Sequence, residues 1–431
     1  MLRHGSFRIM KGMKRLLLLF AAFSLGLLLR AETAGDSVDH YLISVMGSSV
    51  ANGEGAGRDS LGVLEGYAYR FGRLLHERYA EGVSPNPFHV SNISVNGNSS
   101  VDLLNRFEDL EKEPSEWVIF GISLGNEGIH GAEDRQAVYD RFKNNMLLLI
   151  RQARADGKSP VVMNNYTRLD FDEADYDAIK RMNEEIAFWD VPSVNLLGAI
   201  DDGAGRWAPA AVIPTDIYHP NSEGHEEFFH AIVPSMMDAL ASGKPLIMER
   251  TPESRYSLPP GSTFDFMPDG EVHSFTLAFS TLLPGNGVLA RIPLKNSAET
   301  YVTIESIGDS IVAVMPDGRR MEVKAMEGLN TVELSQNYIR KYITLSVNGE
   351  SVGLEEAKSL IPLSFSLGNP DSDENLTLGE VMFYRSSMHT SSPFTPDGRL
   401  NKSSLELYVP MGEGFDNKAM STLKPRLNDK H

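Results

Sequence analysis

Residues 41–57 read YLISVMGSSVANGEGAG, and the fold turns on how this run divides. Tyr41 to Met46 form a short apolar run with the look of a buried strand. Gly47 permits a tight turn, two serines follow, and a Gly-rich loop comes next. Similar apolar runs recur at 88–95 (FHVSNISV), 117–124 (WVIFGISL), 160–165 (PVVMNN) and 194–198 (VNLLG). Helix-period stretches fall between and after them, over 59–81 (with a helix starting near Asp59), 99–112, 133–156, 172–189 and 221–241. This alternation predicts a parallel sheet covered by helices on both faces, whose ligand site lies beyond the carboxyl ends of the strands.

After Lys244-Pro245 the pattern changes. The segment 250–262 (RTPESRYSLPPGS) reads as a linker, placed at 246–261 overall. From 262 to 411 short period-2 runs such as SFTLAFSTL, GVLARIPL, YITLSVN and GEVMFYR alternate with turn signals, which predicts an all-β sandwich. Residues 412–431 are polar and read as a loose tail.

The 431 residues include 40 basic and 58 acidic side chains, a formal charge of −18, and no cysteine. That balance argues against nucleic acid or anionic lipid as the main partner, since phosphate binding needs clustered Lys and Arg. The missing thiols exclude disulfides, Cys–zinc sites, a cysteine nucleophile and a cysteine-anchored lipid. Residues 16–29 (LLLLFAAFSLGLLL) follow Arg8, Lys11, Lys14 and Arg15. They are too short for a spanning helix and suit the apolar part of a secretory signal. The expectation is a signal peptide over 1–34, with Ala31, Thr33, Ala34 and Gly35 as cleavage points, and a secreted or periplasmic protein with no stable membrane span once the signal is removed. An uncleaved anchor is the alternative.

Four serines compete as nucleophile. Ser37 and Ser310 each stand in a literal Gly-Asp-Ser, but only the apolar leader precedes the first, and the second sits in a hairpin turn between period-2 runs. Ser123 matches Gly-x-Ser-x-Gly, an elbow that requires a helix directly after the serine. Gly125, Gly128 and Gly131 read instead as a loop. Ser49 directly follows a strand and is preferred.

The base is sought in Asp216-Ile217-Tyr218-His219, just before a helix opened by Pro220, Asn221 and Ser222. A carboxylate three residues before a histidine, on a turn into a helix, can hold Nδ1–H and leave Nε2 to accept a proton. His225 and His230 are five apart, not four as a zinc helix needs, so no metal site is expected there.

Four blocks now stand in order: Gly47-Ser48-Ser49, Asn96-Gly97-Asn98-Ser99, Ser123-Leu124-Gly125-Asn126-Glu127 and Asp216-Ile217-Tyr218-His219-Pro220-Asn221. Over 38–245 the chain resembles the SGNH (GDSL-type) esterase family, whose three-layer, flavodoxin-like α/β fold the resemblance implies. It implies Ser49 as nucleophile, His219 as general base and Asp216 as the residue orienting it. The Ser49 N–H, Gly97 N–H and Asn126 side-chain amide become the oxyanion donors. Ser48 replaces the usual aspartate, Leu124 the usual glycine, and Glu127 stands where aspartate is common.

The β region weakly resembles a concanavalin-like (laminin-G type) jelly roll and reads as a catalytic partner, a binding module or a spacer. The acidic run 371–375 reads as a solvated turn rather than a calcium loop. Tyr301, Tyr338, Tyr342, Phe383 and Tyr384 suit a core better than a sugar platform. Together these readings predict an exported serine esterase that needs no cofactor and acts on O-acetyl esters of a glycan. The alternatives are a non-catalytic glycan-binding surface protein and a lipase or lysophospholipase.

Overall fold

Buried on both faces, the central apolar runs of the first half can lie only inside a helix-covered parallel sheet. A computed structural model describes residues 38–428 except 208, 284, 296, 357 and 413. The expected signal segment and Ser37 lie outside the described residues. Strands β1 (Asp39–Gly47), β2 (His89–Asn92), β3 (Ser115–Gly121), β4 (Ser159–Met163) and β5 (Ser193–Val194) form a parallel sheet in the order β2-β1-β3-β4-β5. The side chains alternate as strand geometry requires. Ile43, Val45, Trp117 and Ile119 pack with the helices Tyr67–Ala80 and Ser222–His230. Met46, Val118, Phe120 and Val162 pack on the other face with Arg135–Ala155 and Glu173–Ala187.

Three helix expectations change, the stretch 99–112 breaking at Arg106 into Ser100–Asn105 and Phe107–Lys112. The helix expected from Asp59 begins at Tyr67. Before it, Asp59 accepts the amides of Leu61 and Val63, so the chain turns where the apolar period alone suggests helix. The stretch 221–241 splits into Ser222–His230 and Met236–Ala241 around Pro234.

The second half is a sandwich of antiparallel sheets. One contains β7 (Thr263–Phe266), β9 (Gly287–Leu294), β10 (Ser297–Ile307), β11 (Ser310–Val314), β12 (Arg320–Lys324), β16 (Phe365–Gly368) and β19 (Arg426–Asn428). The facing sheet contains β8 (Phe275–Leu282), β13 (Leu329–Asn337), β14 (Tyr342–Val347), β15 (Glu350–Glu355), β17 (Leu376–Tyr384) and β18 (Leu405–Val409), with β6 (Tyr256–Leu258) pairing to β17. Between them lies a core that includes Phe266, Phe275, Phe365 and Phe383. Ser310 closes the β10–β11 hairpin opposite Ile307, as its surroundings suggest. Among the aromatic residues considered for sugar stacking, Phe383 and Tyr384 are wholly buried and Tyr338 stacks on His273, so no shared platform forms.

Two boundary readings are corrected. The expected linker 246–261 is tied down: Arg250 pairs with the buried carboxylate of Glu380, and β6 joins a sheet. The expected loose tail is docked through residue 428. Asn417 bonds Tyr408, Glu406 and Leu423, and β19 extends the sheet beside β7.

The two halves meet through buried polar contacts rather than a tether. Asn195 N–H donates to Ser404 Oγ at 2.8 Å, which donates to the Ala231 carbonyl at 2.7 Å. His273 Nδ1 lies 2.7 Å from Glu227 Oε1, and Arg385 pairs with Glu406 at 3.0 Å while also donating to the His230 carbonyl. Among the described residues no helix is long and apolar enough to cross a membrane.

Candidate active site

The carboxyl ends of β1, β2 and β3 open onto one place. Gly47 pairs with Gly121 across β1 and β3, and a Cβ on Gly47 would stand 2.2 Å from the Gly121 carbonyl oxygen. Only glycine allows this approach, and it sets the turn from which Ser48 and Ser49 leave the sheet. A short helix, Ser49–Asn52, begins at Ser49 itself, so the serine emerges at a strand-to-helix turn. The amide of a first helical residue has no intrahelical partner, which leaves Ser49 N–H available.

His219 Nε2 lies 2.9 Å from Ser49 Oγ, and His219 Nδ1 lies 2.7 Å from Asp216 Oδ2. The other Asp216 oxygen accepts the amides of Tyr218 at 2.8 Å and His219 at 3.1 Å. Burial pushes the Asp216 carboxyl up, but the bonds from the His219 ring and these two amides outweigh it and hold the group below the usual aspartate range. The ionised carboxylate therefore fixes Nδ1 as the protonated nitrogen and turns Nε2 toward the serine.

Gly97 sits at φ +80 on the loop after β2, and among the described residues its amide has no protein acceptor. A positive φ here suits glycine. Asn126 lies on a 3-10 turn, Leu124–Glu127, and its side-chain amide donates to Ser48 Oγ at 3.0 Å. An amide NH₂ has two donors, so one remains free. Ser48, only 2% exposed, thus anchors Asn126 from the position where the resembled family carries an aspartate.

Ser123, the rival nucleophile, is corrected in one respect. A 3-10 turn, not a loop, follows it. Its hydroxyl nevertheless caps that turn by accepting Gly125 N–H at 3.3 Å, and the residue is buried. His225 and His230 have separate surroundings: His225 stacks on Tyr67, and His230 stacks on His273.

Several further residues support the site, most of them without a signal in the sequence. Asn165 accepts Leu124 N–H at 2.6 Å and bonds Asn183, which fixes the turn bearing Asn126. Glu127 accepts Ser100 N–H at 2.5 Å. Arg106 reaches Asn98 at 2.6 Å and the Ile93 carbonyl at 2.9 Å, bracing the Gly97 loop. Arg168 donates to the Gly125 carbonyl at 2.9 Å and lies 4.3 Å from the Tyr218 ring centre, bridging the Asn126 turn and the His219 turn. His225 Nε2 lies 2.8 Å from the Glu54 carbonyl, and Glu54 in turn holds Asn96 at 2.8 Å. Apart from the Arg106 bonds to Asn98 and Ile93, these contacts join segments far apart in sequence, beyond the reach of local spacing.

Among the described residues, one group of metal-type side chains, His130, Asp172 and Asp175, gathers elsewhere, at the start of Glu173–Ala187. Arg135 already pairs with both aspartates there, at 2.6 and 2.9 Å, and the aspartates cap the helix.

Residues 45–227 match the family model of the GDSL-like lipase/acylhydrolases. A comparison with curated proteins finds no match. Among solved structures, the chain is similar to Axe2, an acetylxylan esterase from Geobacillus stearothermophilus, at 21% identity and TM-score 0.34, over 46% of this chain and 94% of that one. It is also similar to LAE5, an alpha/beta hydrolase enzyme from the metagenome of Lake Arreo, at 17% identity and TM-score 0.35, over 48% and 97%. The family match makes the α/β unit a GDSL-like domain of an ester-hydrolysing serine hydrolase.

Proposed function

We propose that this chain, through the GDSL-like lipase/acylhydrolase domain of residues 45–227, hydrolyses carboxylic esters by way of an acyl-enzyme on Ser49. The observation that carries the assignment is the continuous contact from Ser49 Oγ through the His219 ring to Asp216. His219 Nε2 takes the Ser49 proton as Oγ attacks the ester carbonyl carbon. The resulting oxyanion meets Ser49 N–H, Gly97 N–H and the free N–H of Asn126. The C–O bond to the alcohol then breaks, and His219 gives its proton to the departing oxygen. Water, deprotonated by the same nitrogen, releases the acid and restores the serine. General-base assistance of this kind contributes roughly 10²–10⁴ in rate.

The ester we propose is an O-acetyl group on a carbohydrate. Asn52, Asn96 and Asn98 crowd the loops beside Ser49 and suit hydroxyl groups, and the −18 charge disfavours anionic lipid surfaces. Export, read from the first 34 residues, agrees with an extracellular glycan.

Labelling the full chain with a fluorophosphonate, with peptide mapping, tests the nucleophile. The label is expected on Ser49, and Ser49→Ala is expected to abolish both labelling and acetate release from p-nitrophenyl acetate. Full activity in Ser49→Ala, or label on Ser123, overturns the assignment.

A further inference from the structure

A groove of about 1010 Å³ starts at Asn52 and Glu54, three and five residues beyond Ser49, and descends along the outer edge of the sheet. Its walls are the helix Tyr67–Ala80 and edge strand β2. Asn52 donates to Asn96 at 2.9 Å, so the head of the groove shares its wall with the Gly97 loop. From Ala68 to Tyr79 the helix rises about 17 Å at 1.5 Å per residue, which gives the length of the channel. Its floor includes Gly72, where a Cβ would lie 3.3 Å from Val90 Cβ. Glycine inside a helix costs about 0.5–1 kcal/mol relative to alanine, and here it lets the helix pack closely on β2 at the base of the groove.

The lining chemistry narrows the occupant. Arg58 and Arg73 are matched by Glu54 and Glu77, and Arg73 already pairs with Glu77 at 3.2 Å. No excess of one charge is left for a polyanion. Donors and acceptors (Asn52, Arg73, His76, His89) alternate with apolar surface from Leu64, Val90 and the half-exposed Tyr79 ring. Sugar rings present the matching pattern, with hydroxyls around the edge and C–H faces that lie against aromatic rings. An acyl tail would need a drier tunnel than one flanked by exposed Arg73, His76 and Glu77.

We infer that this groove binds a neutral polysaccharide chain and presents an ester on that chain to Ser49, so that sugar units well away from the scissile bond are read. The inference rests on the esterase reading above and adds where the glycan chain is held. Tyr79 and His76 serve the remote end.

The test compares the full chain with the double variant His76→Ala, Tyr79→Ala, both positions being exposed. Substrates are p-nitrophenyl acetate and acetylated xylan and glucomannan oligomers of increasing length. In the wild type kcat/KM is expected to climb with oligomer length. The double variant is expected to lose about tenfold more on the longest oligomers than on p-nitrophenyl acetate, as truncation of well-placed contacts does. Rates independent of length in both series overturn the inference. So does a rise with the acyl length of p-nitrophenyl esters that the double variant loses. Titration of Ser49→Ala protein with unacetylated oligomers separates the two readings. Length-dependent binding, weakened by the double substitution, with no ester cleaved by the wild type, keeps the groove and removes the esterase. No binding at any length removes the groove even if small esters are cleaved.

Discussion

A hydroxyl becomes a useful nucleophile only where its proton has somewhere to go, and in this chain one imidazole and one carboxylate stand in line behind Ser49. The Asn126 amide adds a neutral donor. Replacing it in Asn126→Ala should lower kcat by roughly 10²–10³ with little change in KM, the mark of a contact made in the transition state. Steady-state kinetics on p-nitrophenyl acetate reads this directly. At this scale the sequence is informative where partners are close in the chain. Asp216 and His219 are three apart, so their bond follows from a turn. Arg106, Arg168 and Asn165 act across 41 to 59 positions in contacts such as Asn165 to Leu124 and Arg106 to Gly47, and no spacing announces them.

Strands, helices and loops add constraints that single residues do not have. Gly47→Ala would push a methyl into the Gly121 carbonyl and should destabilise the fold by about 1–3 kcal/mol, as overpacking does, while moving Ser49 out of line. Denaturant titration and kcat on one preparation would show both losses. The loop Gly53–Gly66 leans on His225, whose buried ring burial holds down to a pKa of about 4, against about 6.5 in an unfolded chain. The unfolded chain then binds the extra proton between those values, so this residue's share of stability is intact above pH 6.5 and is lost as pH falls toward 4. In His225→Gln, which keeps a donor toward the Glu54 carbonyl, that part of the acid slope should vanish from melting temperatures measured across the window. An unchanged slope would assign it to other groups. The central strands are legible because both faces are buried and their sequences stay apolar throughout. β12, five residues with only Met321 and Val323 apolar, and the three-residue β19 are too short to be read.

Across the whole molecule, the sandwich reaches into the loop that leads to the base. Asn337 donates to the Asp201 carbonyl at 2.8 Å, and His389 Nε2 lies 2.8 Å from the Asp201 carboxylate, which also accepts the Tyr176 hydroxyl at 2.5 Å. Asp201 begins the segment ending at Asp216 and His219. Asn337→Ala leaves a buried carbonyl without its donor and should cost about 1–3 kcal/mol. It should also lower kcat at temperatures where the variant is fully folded; equal turnover there would show that the sandwich supports the fold and not the base. The change from α/β to all-β composition was visible in the sequence, whereas the docking of the halves was not, because it is made by serines and asparagines such as Ser404 and Asn195 that look like ordinary turn residues. The strand nearest the carboxyl terminus has a consequence of its own. Residues 426–428 cover the flank of β7. A polypeptide lacking them would keep the Ser49, His219 and Asp216 contacts yet expose raw backbone amides and carbonyls, inviting one copy to stack against the next. Loss of this one short strand would then register as clumping well before it registered as lost turnover.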